Sequence, residues 1–237
     1  EDGFRLPEGK HRFDWIDHDT LLVVTALSPA ESTTSGYPYI ARLLRRGQAL
    51  SQAREVFRGT PGDGGYGVTG QVFRDASGRV EAVVLVRPLD TFSAEHHLLE
   101  GDRSVKLALP LRTTVQALVA GRLVVSLEAD WTEKGFKAGD LMDFDLAAVR
   151  RAPDALRPAL VLRPTESQSV EQVGATRDRL VIGLLDNVRG QVRSLKRTGG
   201  GWTSQALDLP ADSTLTLTSA SEDSDRILVS ASGYLSP

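Results

Sequence analysis

Residues 14–47 read DWIDHDTLLVVTALSPAESTTSGYPYIARLLRRG, and this stretch decides the fold. Asp19-Thr20-Leu21-Leu22-Val23-Val24-Thr25 is a short apolar, β-branched run, the pattern of a buried strand. Leu27 to Pro38 is small and polar and carries Pro29, Gly36 and Pro38, which predicts a long loop. Tyr39 to Leu44 is a second apolar run, closed by the basic turn Arg45-Arg46-Gly47. Strand, long loop, strand reads as one piece of a repeated sheet.

The piece recurs. A turn residue, then one polar residue or Arg, then three or four aliphatics is found five times. The copies are Asp19-Thr20-Leu21-Leu22-Val23, Gly78-Arg79-Val80 leading into Ala82-Val83-Val84, Gly121-Arg122-Leu123-Val124-Val125, Asp178-Arg179-Leu180-Val181-Ile182 and Asp225-Arg226-Ile227-Leu228-Val229. Their first aliphatics fall at 21, 80, 123, 180 and 227, in steps of 43 to 59 residues. Propeller blades recur at roughly 40–50 residues and each needs about four short strands. Sandwich strands come every 8–12 residues or so without this longer period. The expectation is an all-β chain, a β-propeller of four-stranded blades with about five blades over residues 1–237.

In chain order, Glu1 to Lys10 is expected as an outer strand of a preceding blade. Val68 to Arg74 and Val80 to Arg87 are expected to form a hairpin across Asp75-Ala76-Ser77-Gly78. Thr91 to Leu99 and Ser104 to Leu109 complete that blade. The next holds Thr113–Ala120, Leu123–Leu127, a long loop to Gly139, Asp140–Ala148 and Leu160–Arg163, with a possible helical turn over Ala147–Leu156. Ser169 through Leu184, Arg189–Lys196 and Trp202–Leu207 form another, and Thr214–Ser219 with Ile227–Ser232 the last.

The hydrophobic fraction of 41% over 237 residues supports a packed core. No stretch reaches the ~18 consecutive apolar residues that span a bilayer, so no membrane partner is expected. The net charge of −3, with both signs interspersed, argues against a nucleic-acid footprint. Arginine far outnumbers lysine, a compositional mark of a GC-rich bacterial genome. Cysteine is absent, which excludes disulfides, thiolate catalysis and zinc–thiolate sites. It leaves bacterial cytoplasm and periplasm equally open. The first residues match neither an initiator methionine nor a signal peptide, and both ends are expected to continue into a longer chain.

No catalytic set, cofactor or metal site is expected. There is no G-x-S-x-G elbow. His96 and His97 are adjacent and point to opposite faces of a strand, so they are read with His11 and His18 as surface or loop residues. Asp14, Asp17 and Asp19 lack the distal glutamate of a calcium loop and are read as strand-entry turns. Asp63-Gly64-Gly65 and Gly199-Gly200-Gly201 precede no helix, so they are not phosphate loops. Trp15, Trp131 and Trp202 are read as blade core or loop anchors.

Several segments together resemble the propeller domain of bacterial prolyl oligopeptidase family serine peptidases. They are Asp14-Trp15, Asp19-Thr20-Leu21-Leu22-Val23, Ser35-Gly36-Tyr37-Pro38, Arg46-Gly47, Asp130-Trp131 and Ala138-Gly139-Asp140-Leu141. Ser169-Val170-Glu171-Gln172-Val173, Leu185-Asp186-Asn187-Val188-Arg189-Gly190, Gly201-Trp202 and Ser232-Gly233-Tyr234-Leu235-Ser236-Pro237 continue the series in collinear order. The chain departs from the family at Ala26–Ala30, where an acidic-aromatic Gly-Pro-Gly loop is usual, at Tyr39 for an Arg and at Leu44 for a Trp.

The resemblance implies a piece of a seven-bladed propeller that caps an α/β-hydrolase domain of the same parent chain. That hydrolase, with its Ser-Asp-His triad, would lie outside this chain, so no triad residue falls here. The implied function is non-catalytic: the propeller filters short proline-containing peptides to the peptidase. Ser28, Glu31, Ser32, Thr33, Thr34, Ser35, Gly36 and Tyr37 are the implied substrate-gating loop. An incomplete ring also leaves unpaired sheet edges, which predicts edge-to-edge self-association of the fragment. Two alternatives stay open on the residues: a stand-alone protein- or peptide-binding propeller, and a propeller glycosidase or lactonase.

Overall fold

The computed structural model describes residues 3–210 and 213–233. Its chain divides into two compact units, residues 1–73, 79–112 and 153–155 in the first, and residues 74–78, 113–152 and 156–237 in the second.

The first unit is built on two four-stranded antiparallel sheets whose strands pair in chain order. One is β1 (Arg12–Asp17), β2 (Thr20–Val24), β3 (Ile40–Arg45) and β4 (Arg54–Arg58); the other is β5 (Thr69–Arg74), β6 (Val80–Pro88), β7 (Ala94–Glu100) and β8 (Arg103–Lys106). β2 is apolar at nearly every position because both of its faces are covered: Leu21, Leu22, Val23 and Val24 are all buried. Leu21 sits opposite Trp15 on one side and Leu44 on the other, and Leu22 opposite Leu43. Leu22, Val24, Ile40 and Ala41 share one core cluster with Val83 and Leu85 of β6. Gly70 packs tightly beside them: a Cβ there would lie 2.3 Å from Leu22 Cδ2, so the Leu22 side chain would have to shift.

The second unit repeats the plan. β9 (Thr113–Val119), β10 (Arg122–Leu127), β11 (Leu141–Asp145) and β12 (Ala159–Leu162) form one four-stranded sheet. β13 (Gln168–Ala175), β14 (Arg179–Asp186), β15 (Arg189–Thr198) and β16 (Gly201–Ala206) form the next. β9 turns into β10 through Ala120 and Gly121, both at positive φ (52° and 67°), the geometry of a type I′ hairpin. Val124, Leu141, Leu180, Ile182 and Leu195 lie in one core cluster, with Trp202 packed against it. Asp143 of β11 is fully buried and accepts hydrogen bonds from Arg122 Nε (3.1 Å), Arg197 Nη1 (3.3 Å) and Trp202 Nε1.

The five sequence repeats open β2, β6, β10, β14 and β18, in each case the second strand of its sheet. The fifth sheet falls short of a four-stranded blade but matches the two segments read for it, 214–219 and 227–232. Among the described residues it has two, β17 (Ser213–Ala220) and β18 (Ile227–Gly233). Their alternation of half-buried and exposed positions marks a sheet covered on one face only.

Other expectations need correction. Residues 3–10 form no strand; side chains hold the segment instead, with His11 Nε2 2.6 Å from the Pro7 carbonyl and Phe4 edge-on to Trp15. The third strand of the β9–β12 sheet stops at Asp145, whose carboxylate caps the Ala148 amide (2.8 Å) and starts helix α1 (Leu146–Arg151). Residues 91–93 belong to a turn and not to β7, because Asp90 Oδ1 accepts from the amides of Phe92 (2.7 Å) and Ser93 (2.8 Å). Glu1, Asp2 and the Tyr234–Pro237 part of the last quoted segment lie outside the described residues. No helix among the described residues is long and apolar enough to cross a membrane.

Candidate functional site

The loop from β2 to β3 is built by its own polar groups. Ser28, Pro29 and Glu31 make a 3-10 turn in which the Glu31 amide donates to the Ser28 carbonyl (3.0 Å). A tighter turn follows. The Thr33 amide donates to the Tyr37 carbonyl (2.8 Å), and Gly36, at φ +74°, donates to the Thr33 carbonyl (2.8 Å). The left-handed φ is why glycine stands at that position. Ser32 and Pro38 pair across the neck.

One buried cation holds this loop. Arg42 points out of β3 with its side chain only 4% exposed. Its Nη2 donates to Glu31 Oε1 (2.8 Å) and its Nη1 to the Thr25 carbonyl (2.8 Å). Glu31 Oε2 meanwhile accepts from the Leu27 amide (2.7 Å), and the Tyr39 hydroxyl donates to the Ala30 carbonyl (2.7 Å). Loop start, loop middle and strand are thus tied to a single guanidinium.

A second segment, residues 59–68, closes against the first. The Thr34 amide reaches the Pro61 carbonyl (3.1 Å), and the Val68 amide reaches the Pro38 carbonyl (3.2 Å). Asp63 fixes the segment. It is buried and takes a two-pronged hydrogen bond from Arg87 (2.8 and 2.7 Å), plus bonds from the Thr60 amide (2.9 Å) and hydroxyl (2.6 Å). Burial pushes the Asp63 carboxyl up, but hydrogen bonds from Arg87 and Thr60 outweigh it and leave the group below its ordinary value. Arg87 also meets Glu95 (3.3 Å). Lys106 donates to Glu95 and is the largest cause of that carboxyl being held low.

Between the two segments lies a concavity of about 560 Å³, lined by Arg12, Ser35, Tyr37, Tyr66, Pro88 and Asp90 among others. Tyr37 and Tyr66 meet edge to face, 5.2 Å between ring centres. Lys10 Nζ stands 3.7 Å over the Tyr37 ring, and Arg12 Nη2 donates to the Tyr66 carbonyl (3.4 Å).

Of the eight gating-loop residues named from the sequence, Ser35 and Tyr37 line the concavity. Glu31 turns to Arg42, Thr33 is buried inside the loop, and Ser28, Ser32, Thr34 and Gly36 contribute through the backbone. Arg12 and Tyr66 were not anticipated. Tyr66 sits in the run Asp63-Gly64-Gly65-Tyr66-Gly67, where one aromatic among glycines was the available signal.

Two of the histidines, His96 and His97, also depart from the expectation of surface or loop residues, while His11 and His18 lie outside the strands as expected. His96 lies in β7, 3% exposed, and burial, with the neighbouring His97 second, pushes its pKa down to about 4. His97 is half-buried against the Phe57 ring (4.7 Å). Trp15 is 44% exposed and not core, while Trp131 and Trp202 are half-buried. Among the described residues no group of three or more His, Asp or Glu is placed to hold a metal ion. Asp17 and Asp19 have local tasks: Asp17 Oδ1 accepts from the Asp19 amide (2.8 Å), and Asp19 Oδ1 from Arg46 Nε (2.9 Å).

Antiparallel sheets paired in chain order, each opened by the same turn-and-aliphatic motif on its second strand, define the class: a β-propeller domain. The chain belongs to the prolyl oligopeptidase family, whose N-terminal beta-propeller domain matches residues 1–237. It is 38% identical to the uncharacterized peptidase y4nA of Sinorhizobium fredii over 244 aligned residues, covering 100% of this chain and 33% of that protein. It is 25% identical to the uncharacterized peptidase RP174 of Rickettsia prowazekii, covering 98% of this chain and 33% of that one. A solved structure of a post-proline cleaving enzyme from Rickettsia typhi superposes with a TM-score of 0.84 at 20% identity, over 93% of this chain and 33% of the other. The chain thus spans about a third of the length of these relatives.

Proposed function

We propose that this chain is the non-catalytic, substrate-filtering domain of a serine peptidase that hydrolyses short proline-containing peptides, its partner being an α/β-hydrolase domain of the same parent chain. The family match over residues 1–237 and the one-third share of the relatives' length support this reading. So does the Rickettsia typhi relative, a post-proline cleaving enzyme.

The observation that carries the filter is the Arg42 clamp. A loop tied at Thr25, Leu27 and Glu31 is a stiff rim. A stiff rim excludes by size, and a site closed off from bulk water strengthens its own electrostatics.

The test uses the full-length protein that contains this chain. Its kcat/KM is measured on a short proline-containing peptide and on casein, in the wild type and in Glu31→Gln. The wild type is expected to prefer the peptide strongly. Loosening the rim is expected to narrow that preference by about tenfold, equivalent to ~1.4 kcal/mol. A wild-type protein that cleaves casein as readily as the peptide sinks the reading.

A further inference from the structure

Lys10 and Arg12 lie in one corner of the first unit, Lys10 over a tyrosine ring and Arg12 on a tyrosine carbonyl. Lys10 stands over the Tyr37 ring at 3.7 Å and donates to the Ser35 carbonyl at 3.5 Å. Arg12 reaches only the Tyr66 carbonyl, at 3.4 Å. Among the described residues neither has a carboxylate partner. The acid that lines the same concavity, Asp90, is committed elsewhere, its Oδ1 held by the amides of Phe92 and Ser93. The concavity is therefore lined by one cation, Arg12, two tyrosines and a carboxylate whose Oδ1 is engaged by its own turn, while Lys10 stands beside it over the Tyr37 ring.

Its volume, about 560 Å³, falls within the ~300–1,000 Å³ of small-ligand sites. A guanidinium is a planar fork that matches a carboxylate, and tyrosine supplies apolar contact with little side-chain freedom to lose. The carboxylate every peptide carries, whatever its sequence, is its C-terminus.

We propose that this concavity receives the C-terminal carboxylate of a short peptide, with Arg12 holding the charge, Lys10 adding positive charge nearby over the Tyr37 ring, and Tyr37 and Tyr66 flanking the last side chain. The idea rests on the peptide-filtering reading and deepens it. A peptide caught by its end is measured from that end, which adds a ruler to a rim.

The experiment is calorimetric titration of the full-length protein with the tripeptide Gly-Phe-Gly, as free acid and as C-terminal amide. It lacks proline, so post-proline cleavage does not consume it. The free acid is expected to bind at least about tenfold tighter than the amide, or ~1.4 kcal/mol. Arg12→Gln is expected to erase that difference, Arg12→Lys to restore part of it, and Tyr66→Ala to weaken both forms alike. Thermal melts check that each variant folds; Tyr66 is 67% exposed and Arg12 lies on the exposed face of an edge strand, so folding is expected to survive. Equal binding of acid and amide overturns the proposal. So does an acid preference that survives Arg12→Gln, or displacement of the peptide by an equal concentration of inorganic phosphate, which would mark a generic anion site. None of these results touches the peptide-versus-casein comparison, so the two readings fail separately.

Discussion

The guanidinium of Arg42 stands 2.8 Å from Glu31 Oε1 and, through its other nitrogen, 2.8 Å from the carbonyl of Thr25. Glu31 and Arg42 lie eleven positions apart in the chain, and a second acid, Glu55, approaches Arg42 only to 4.0 Å. The first prediction follows from this arithmetic of partners.

Glu31→Gln removes the charge that balances a nearly buried cation. Breaking one side of a buried pair costs about 3 kcal/mol, because the partner stays desolvated. The double variant Glu31→Gln with Arg42→Met is expected to be more stable than Glu31→Gln alone, since the stranded charge is gone. Urea midpoints measure both. A single variant within 0.5 kcal/mol or so of wild type would mean that Glu55 and water already balance Arg42.

Asp63 predicts an acid limb. Its carboxyl lies below its ordinary value of 3.8 in the folded protein, so the unfolded chain takes up a proton first as pH falls. The stability it contributes is present above that ordinary value and is lost as pH drops through the lower, folded one. Asp63→Asn should flatten this part of a stability-versus-pH curve recorded by thermal melting. An unchanged acid limb would assign it to other carboxylates such as Glu95.

His96 acts in a higher window. Its pKa is about 4 when folded against 6.5 when unfolded, because burial opposes the charged ring. Between those values the unfolded chain binds a proton that the folded chain refuses, so stability declines from near pH 6.5 to near pH 4 and then levels off. The full loss is ~3 kcal/mol for one buried imidazole. Glu95, Lys106 and Arg87 surround His97, whose pKa is also lowered by burial, so it adds to the same slope. His96→Leu should remove the larger part of it, as read by urea unfolding across that range.

Gly67 is fixed by geometry twice over. Its φ is +74°, and a Cβ there would fall 2.3 Å from the Pro38 carbonyl oxygen. Gly101 has a similar φ, +63°, with nothing within 4 Å. Gly101→Ala should therefore cost only the left-handed penalty, ~1 kcal/mol, and Gly67→Ala clearly more. Equal losses would show that the Pro38 backbone gives way freely.

Much of the architecture was legible because one signal repeats. The turn-and-aliphatic motif marks the second strand of each sheet, where covering on both faces forces a continuous apolar run such as Leu21–Val24 or Leu180–Leu184. Edge features were not legible. Residues 3–10 have an extended composition but are held by His11 and Phe4, contacts that depend on tertiary neighbours. The site was half legible. The loop Ser28–Tyr37 shows as a polar break between two strands, whereas Arg12 and Tyr66 are separated by 54 residues and meet only once two sheets are built. Buried ion pairs such as Asp63–Arg87 leave no trace in a charge count, since each half looks like an ordinary surface residue.

Every complete sheet is made from one uninterrupted length of chain: 12–58, 69–106, 113–162 and 168–206. Among the described residues, no strand waits for a partner encoded in a distant part of the sequence. On a ribosome delivering residues from the N-terminus, each sheet can therefore zip before the next has been translated. A growing sheet then exposes unpaired amides and carbonyls only along its first and its newest strand, and no lone strand is left waiting while the rest is synthesised, which limits the nascent chain's tendency to aggregate.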